Sequence, residues 1–250
     1  VRRTRTDLME HELYKKDLEE QGIVFPKIEK PRMIMYQMDT ELEKLYDFTM
    51  AKLSDPNEGI EYYRYRAIEF LLPHLKLKYR NADLLSSQLA KMMRTLLVKR
   101  IDSSFYAFKK SIKRFQNASQ VMVNMFEKGT IYIAPNLKVN EYLMDDREDE
   151  LIKMISETSE TDPTIQVCKL TDFEAGFKEG LVKDHAILTQ LVNEWDKIDD
   201  DENDPKLDEF IKQMKNELLE KSINPNSKLV IFSESMETID HVTSNLKSAG

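Results

Sequence analysis

A single cysteine, Cys168, among 250 residues excludes an intrachain disulfide and any zinc site built on cysteine pairs. A chain of this length without disulfide staples reads as the product of a reducing, cytoplasmic setting. Glycine and proline are scarce too, at 6 and 8 residues, which weighs against a loop-rich or all-β protein. No apolar run reaches the ~18 residues that announce a membrane span, and no basic-then-apolar leader opens the chain. The four histidines, His11, His74, His185 and His241, stand far apart without metal-ligand spacing. Each reads as a surface or packed residue rather than a ligand. Glycine-rich phosphate loops of the G-x-x-x-x-G-K-[ST] and G-x-G-x-x-G kinds are missing, as is the G-x-S-x-G nucleophile turn. The Ser103-Ser104 pair has no adjacent base, and the Asp-Glu pairs at 149–150, 201–202 and 208–209 follow no apolar strand. The expectation is a chain with no catalytic and no metal-binding residues of its own.

What is present is 41% hydrophobic and 33% charged residues, enough of the first to bury a core in one large or two small domains. The net charge of −8 conceals a split. Residues 141–210 carry 22 acidic and 7 basic residues, a net −15, which leaves +7 for the remainder. Such a split points to a basic working surface outside a solvated acidic section.

Residues 4–20 read as a charged helix with Gly22 at its C-cap. Phe25-Pro26 forces an extended segment, and PRMIMYQM over 31–38 reads as a strand. Thr40 and Glu43 have the spacing of a capping box, ahead of a helix with Leu42, Leu45, Tyr46 and Thr49 on one face. DPNEG at 55–59 reads as a turn, and YYRYRAIEFLL as a helix that Pro73 ends. The stretch 83–127 contains neither glycine nor proline. It is one long helix or two that meet near Asp102-Ser103-Ser104. Ile101, Phe105, Phe108, Ile112 and Phe115 recur at helical spacing as one apolar stripe. Lys99, Arg100, Lys109, Lys110, Lys113 and Arg114 fall on the opposite half, and glutamate is absent from 83–126. Two partners suit such a basic face: a phosphate backbone or the acidic section of the same chain.

TIYIAPNLKV at 130–139 and TIQVCKL at 164–170 read as a hairpin-like strand pair, with a short acidic helix, DDREDELIKMI, between them. Residues 173–197 read as a helix whose apolar face holds Phe173, Phe177, Leu181, Leu188, Leu191 and Trp195. DDDENDP at 199–205 reads as a flexible acidic linker. An amphipathic helix, LDEFIKQMKNELLEK, then leads to an NPNS turn at 224–227. KLVIFS at 228–233 is a continuous apolar run, as in a parallel strand buried on both faces, and METIDHVTSNLKSAG follows as a helix. The fold class is mainly α, with long amphipathic helices and a few short strands. The start at Val1 and the final strand and helix are expected to be cut from a longer protein.

Three stretches resemble the Swi/Snf-type helicase-like ATPases of superfamily 2. In the first, Arg2, Arg3, Arg5, Asp7 and Leu8 match the basic segment that leaves the first RecA-like lobe, and Phe25-Pro26-Lys27 and Glu41 to Tyr46 match the Pro-containing extension, strand and helix that follow it. In the last, Lys228, Ile231, Phe232, Ser233, Ile239 and Asp240 match the entry into the second lobe. In the middle, Lys99, Arg100, Ser103, Ser104, Ala107 and Phe108 are similar to bacterial members related to the RNA polymerase-associated branch, with Asp102 where those carry Glu. The nucleotide-binding motifs of lobe one and the arginine-finger motif of lobe two are absent.

The resemblance implies a truncated β-α start of a second RecA-like lobe at 206–250. It also implies an exit from lobe one and extended linker at 1–39, a helical inter-lobe domain at 40–198 and the linker at 199–205. It implies ATP and Mg for the whole enzyme and none for this piece. DNA would be the partner through the whole enzyme, together with the other motor-lobe parts, and the strand at 228–233 would be open to self-association. Lys99, Arg100, Lys109, Lys110, Lys113, Arg114, Ser233 and Ser235 become the expected nucleic-acid contacts, and Arg2, Arg3 and Arg5 the inter-lobe basic motif. The alternative is a stand-alone acidic helical interaction module without ATPase activity.

Overall fold

In the computed structural model, Thr4 and Asp7 cap one another at the start of α1 (Arg5–Glu10). The Thr4 backbone N–H donates to Asp7 Oδ2 at 2.7 Å and the Asp7 N–H to Thr4 Oγ1 at 3.2 Å. Both are donors that the start of a helix would otherwise leave to solvent. The helix expected over 4–20 breaks once, at His11, and resumes as α2 (Glu12–Glu20). Gly22, at φ +65, then turns the chain out as expected of a glycine at that place. Neither helix buries a residue. The structure describes residues 4–23, 25, 30–77, 79, 82–133, 166–198, 204–233 and 235–248. The expected acidic helix at 145–155 and most of the linker at 199–205 lie outside them. The chain divides into two compact units, Val1–Met35 and Tyr36–Gly250, and α1 and α2 belong to the first.

Residues 31–38 are not a strand. The backbone is extended, joins no strand among the described residues, and leaves Met33 and Met35 exposed. The next helix, α3 (Thr40–Ser54), is capped by Asp39 and not by Thr40: the Asp39 carboxylate accepts from the Leu42 N–H at 2.8 Å. A carboxylate there is also favoured by the helix dipole. DPNEG forms the expected turn, with the Asp55 carboxylate accepting from the N–H groups of Asn57 and Glu58. The helix expected through YYRYRAIEFLL is a tighter 3-10 helix, Tyr63–Phe70. Pro73 begins a helix instead of ending one, at the first turn of α4 (Pro73–Lys76), where its missing N–H leaves no bond unmade.

The long glycine- and proline-free stretch is two helices, α5 (Ala82–Ser103) and α6 (Phe105–Lys128). They part at Ser104, which is extended and accepts the Ala107 N–H on its hydroxyl. Serine competes with the helix for backbone bonds, so it breaks one helix and caps the next. Gly129, at φ +82, closes α6. Strand β1 (Thr130–Ile133) pairs antiparallel with β2 (Gln166–Lys169), with Ile131 opposite Cys168, so the expected strand pair forms. Past a short 3-10 turn, α7 (Phe177–Trp195) returns along α6.

The expected stripe of Ile101, Phe105, Phe108, Ile112 and Phe115 is buried throughout. It packs with Leu188, Leu191 and Trp195 of α7 and Leu42 and Leu53 of α3. The Trp195 indole donates to Thr49 Oγ1 at 2.9 Å, and Thr49 donates in turn to the Leu45 carbonyl, so both of these buried polar groups are paired inside the core. A second cluster gathers Phe126, Ile131, Cys168, Phe173, Phe177 and Leu181 around the strand pair.

Asp204 caps α8 (Pro205–Gln213), which loosens into a π turn over Met214–Leu218. NPNS makes the expected turn. KLVIFS is extended but, among the described residues, pairs with no strand; Val230 and Phe232 are exposed at 73% and 90%. The final helix is α9 (Met236–Ser248), which packs on α6. Among the described residues no helix is long and apolar enough to cross a membrane.

Candidate nucleic-acid interface

Because α6 turns its aromatic stripe inward, Tyr106, Lys110, Lys113 and Arg114 fall on its outer side. Part of that side is covered by α9. Arg100 in the last turn of α5 and Arg114 on α6 converge on the Glu237 carboxylate in the first turn of α9. Arg114 Nη2 stands 2.5 Å from Glu237 Oε1 and Arg100 Nη1 3.8 Å from Oε2. The Arg100 side chain is only 9% exposed, so this cation is part of the interior, not of an open basic face.

Ser235 completes the cluster. Its hydroxyl donates to Glu237 Oε2 at 2.9 Å and accepts the Thr238 N–H at 3.4 Å, while its own N–H donates to Ser233 Oγ at 3.2 Å. Both serines therefore serve the start of α9. Burial works to raise the Glu237 carboxyl, but hydrogen bonds from its own backbone N–H, Arg114 and Ser235 outweigh it and hold the group at about 2. Glu237 is a carboxylate throughout the neutral range.

The other expected contacts separate. Lys109 donates to the Ile198 carbonyl at 2.7 Å, closing the end of α7 onto α6. Lys110 sits over the Tyr106 ring at 5.3 Å, and that ring also stacks on His241 at 4.4 Å. His241 is thus a packed histidine, as its isolation in the sequence suggested. Lys99, Lys110 and Lys113 keep exposed side chains. Arg5 stacks on Phe25 at 5.7 Å within the first unit, and Arg2 and Arg3 lie outside the described residues.

A groove of about 720 Å³ runs along α5, with Met92, Met93 and Leu96 as its floor and Lys91, Thr95 and Lys99 along its rim. Arg100, Ser103 and Ser235 line the same groove. A second cavity of about 550 Å³, between α8 and α9, has Lys99, Ser233, Phe232 and His241 in its wall. Asp102 lies at this junction. It accepts from the Tyr46 hydroxyl at 2.7 Å, and its carbonyl accepts from Lys206. Burial first, and then Asp102, pushes the Tyr46 phenol up to about 12.

Glu237 is the residue that sequence reasoning missed. Its only signal was an acid in the first turn of a helix, which the dipole already accounts for. Among the described residues no three His, Cys, Asp or Glu side chains stand together as a metal site would need. No protein-family model matches the chain, and no curated protein and no solved structure is detectably similar to it.

Proposed function

We propose that this chain supplies the helices between the two motor lobes of a cytoplasmic, ATP-dependent DNA translocase, together with the entry to its second lobe. The observation that carries the reading is the run Leu229–Phe232. It is apolar at four consecutive positions, extended, exposed and, among the described residues, without a ladder partner. Runs of this kind belong to parallel strands covered on both faces. Left open, they are pairing hazards that proteins normally cover. The reading gives this strand its neighbours in the remainder of a RecA-like lobe, with α9 as the first helix laid against that sheet. Lys99, Lys110 and Lys113 then stand near the hinge between lobes, where exposed cations hold a phosphate backbone in register without reading its bases. Hydrolysis of ATP belongs to the whole enzyme.

The test is binding of labelled duplex DNA by the chain. Any duplex, whatever its sequence, should compete equally. Lys99→Glu, Lys110→Glu and Lys113→Glu together should abolish binding while the helical signal stays at wild-type strength. Undiminished binding by that variant would remove the basic face from the reading.

A further inference from the structure

The Glu237 cluster has the form of a ligand site with its ligand in place. Its groups come from three elements: Arg114 on α6 and Ser235 before α9 are in hydrogen-bond reach of the two oxygens, and the Arg100 cation on α5 stands 3.8 Å from one of them. Guanidinium and hydroxyl groups gathered in this way suit planar or tetrahedral oxyanions alike, since arginine offers paired donors to carboxylate and phosphate with nearly the same geometry. Access is provided too. Arg100, though buried, lines the groove along α5, and so does Ser235. Lys91 and Lys99 are exposed on the rim of that groove, and no glutamate occurs anywhere in 83–126. An anion drawn along the groove would arrive at Arg100 and meet Glu237.

We propose that Arg100, Arg114 and Ser235 form a binding site for a phosphate group, and that Glu237 fills it as an internal substitute in the arrangement seen here. A phosphate that takes the site displaces the carboxylate and frees the start of α9 from α5 and α6. The coupling is reciprocal: whatever pulls α9 away raises the affinity for phosphate by the same factor. DNA as the source of that phosphate rests on the reading above; the site itself does not.

The experiment uses the full chain and pyrophosphate as the probe, with calorimetry for affinity and amide exchange for the state of α9. In the wild type, pyrophosphate should speed exchange over 236–242. Glu237→Gln keeps the shape and one acceptor but removes the competing charge, and should bind pyrophosphate roughly tenfold more tightly. Adding Arg114→Gln should cancel that gain. Should Glu237→Gln lose helical signal, Glu237→Asp serves instead, because it keeps the charge and draws the carboxylate back by one methylene; it should show a smaller gain. No tightening in either variant overturns the inference and leaves Glu237 as a structural clamp. A duplex DNA arm separates the two readings. If Glu237→Gln tightens pyrophosphate but leaves duplex binding as it was, the phosphate site stands and DNA is not its ligand.

Discussion

At the residue scale, the buried Asp184 on α7 holds the turn that enters the 3-10 helix. Its two carboxylate oxygens accept the backbone N–H groups of Glu61 and Tyr63 at 2.8 and 2.7 Å. Between them sits Tyr62 in the left-handed region at φ 59, a conformation disfavoured for a bulky residue and held by this double bond. Burial pushes the Asp184 carboxyl up from 3.8 to about 6, against the lowering effect of those two N–H groups. The folded chain therefore keeps a proton between pH 3.8 and about 6 that the unfolded chain has released. Stability falls as pH rises through that window and levels off above it, by on the order of 3 kcal/mol. Asp184→Asn should be less stable, because its amide N–H₂ faces a backbone donor, and should lose that slope in urea titrations from pH 4 to 6.5. An unchanged slope would place the proton elsewhere. Gly180, one turn earlier, has no room for a methyl group: a Cβ would come within 2.2 Å of Tyr63 Cζ. The Tyr63 ring is held by Phe70 and Phe177 at 5.0 and 6.0 Å. Gly180→Ala should cost ~1–3 kcal/mol of unfolding free energy, and a neutral result would mean that the ring moves freely.

At the element scale, periodicity was readable and pairing was not. The 4-3-4-3 spacing from Ile101 to Phe115 gave the buried end of α5 at Ile101 and the buried face of α6 from Phe105 on, and Ser103-Ser104 gave the place where α5 stops, though not whether it stops. Caps were harder. Asp39 and Thr40 are both good caps, and the choice turned on which oxygen reaches the Leu42 N–H. PRMIMYQM and KLVIFS both have strand composition, yet neither joins a strand among the described residues, because composition sets the willingness of a segment to pair and tertiary neighbours supply the pairing. The exposed run at 229–232 leads to a prediction at this scale. Val230→Lys with Phe232→Lys should leave the unfolding free energy from urea titration within ~0.5 kcal/mol of wild type, since both side chains already face solvent. The same pair should abolish any concentration-dependent rise in sedimenting mass. If the double variant unfolds, the run is part of the core in solution.

At the scale of the whole molecule, a basic helix face was legible and its division was not. Six cations read as one stripe; the folded chain turns Arg100 and Arg114 toward Glu237, ties Lys109 to the Ile198 carbonyl, and leaves Lys99, Lys110 and Lys113 exposed. No local pattern could have announced this, since Glu237 and Ile198 lie far along the chain from the cations they meet. The phosphate-loop and lobe motifs absent from the sequence give a second expectation at this scale: the purified chain should not turn over ATP, with or without DNA, and saturable hydrolysis would contradict the proposed reading. The central claim, that the three exposed lysines hold a phosphate backbone, is tested most directly by the salt dependence of duplex binding. Each phosphate neutralised contributes roughly 0.9 to the slope of log affinity against log salt concentration. Wild type should therefore show a slope of about −2.7 or steeper, if all three lysines engage, and Lys99→Glu, Lys110→Glu and Lys113→Glu taken singly should each flatten it by about 0.9. Slopes that stay the same in all three variants would contradict the account.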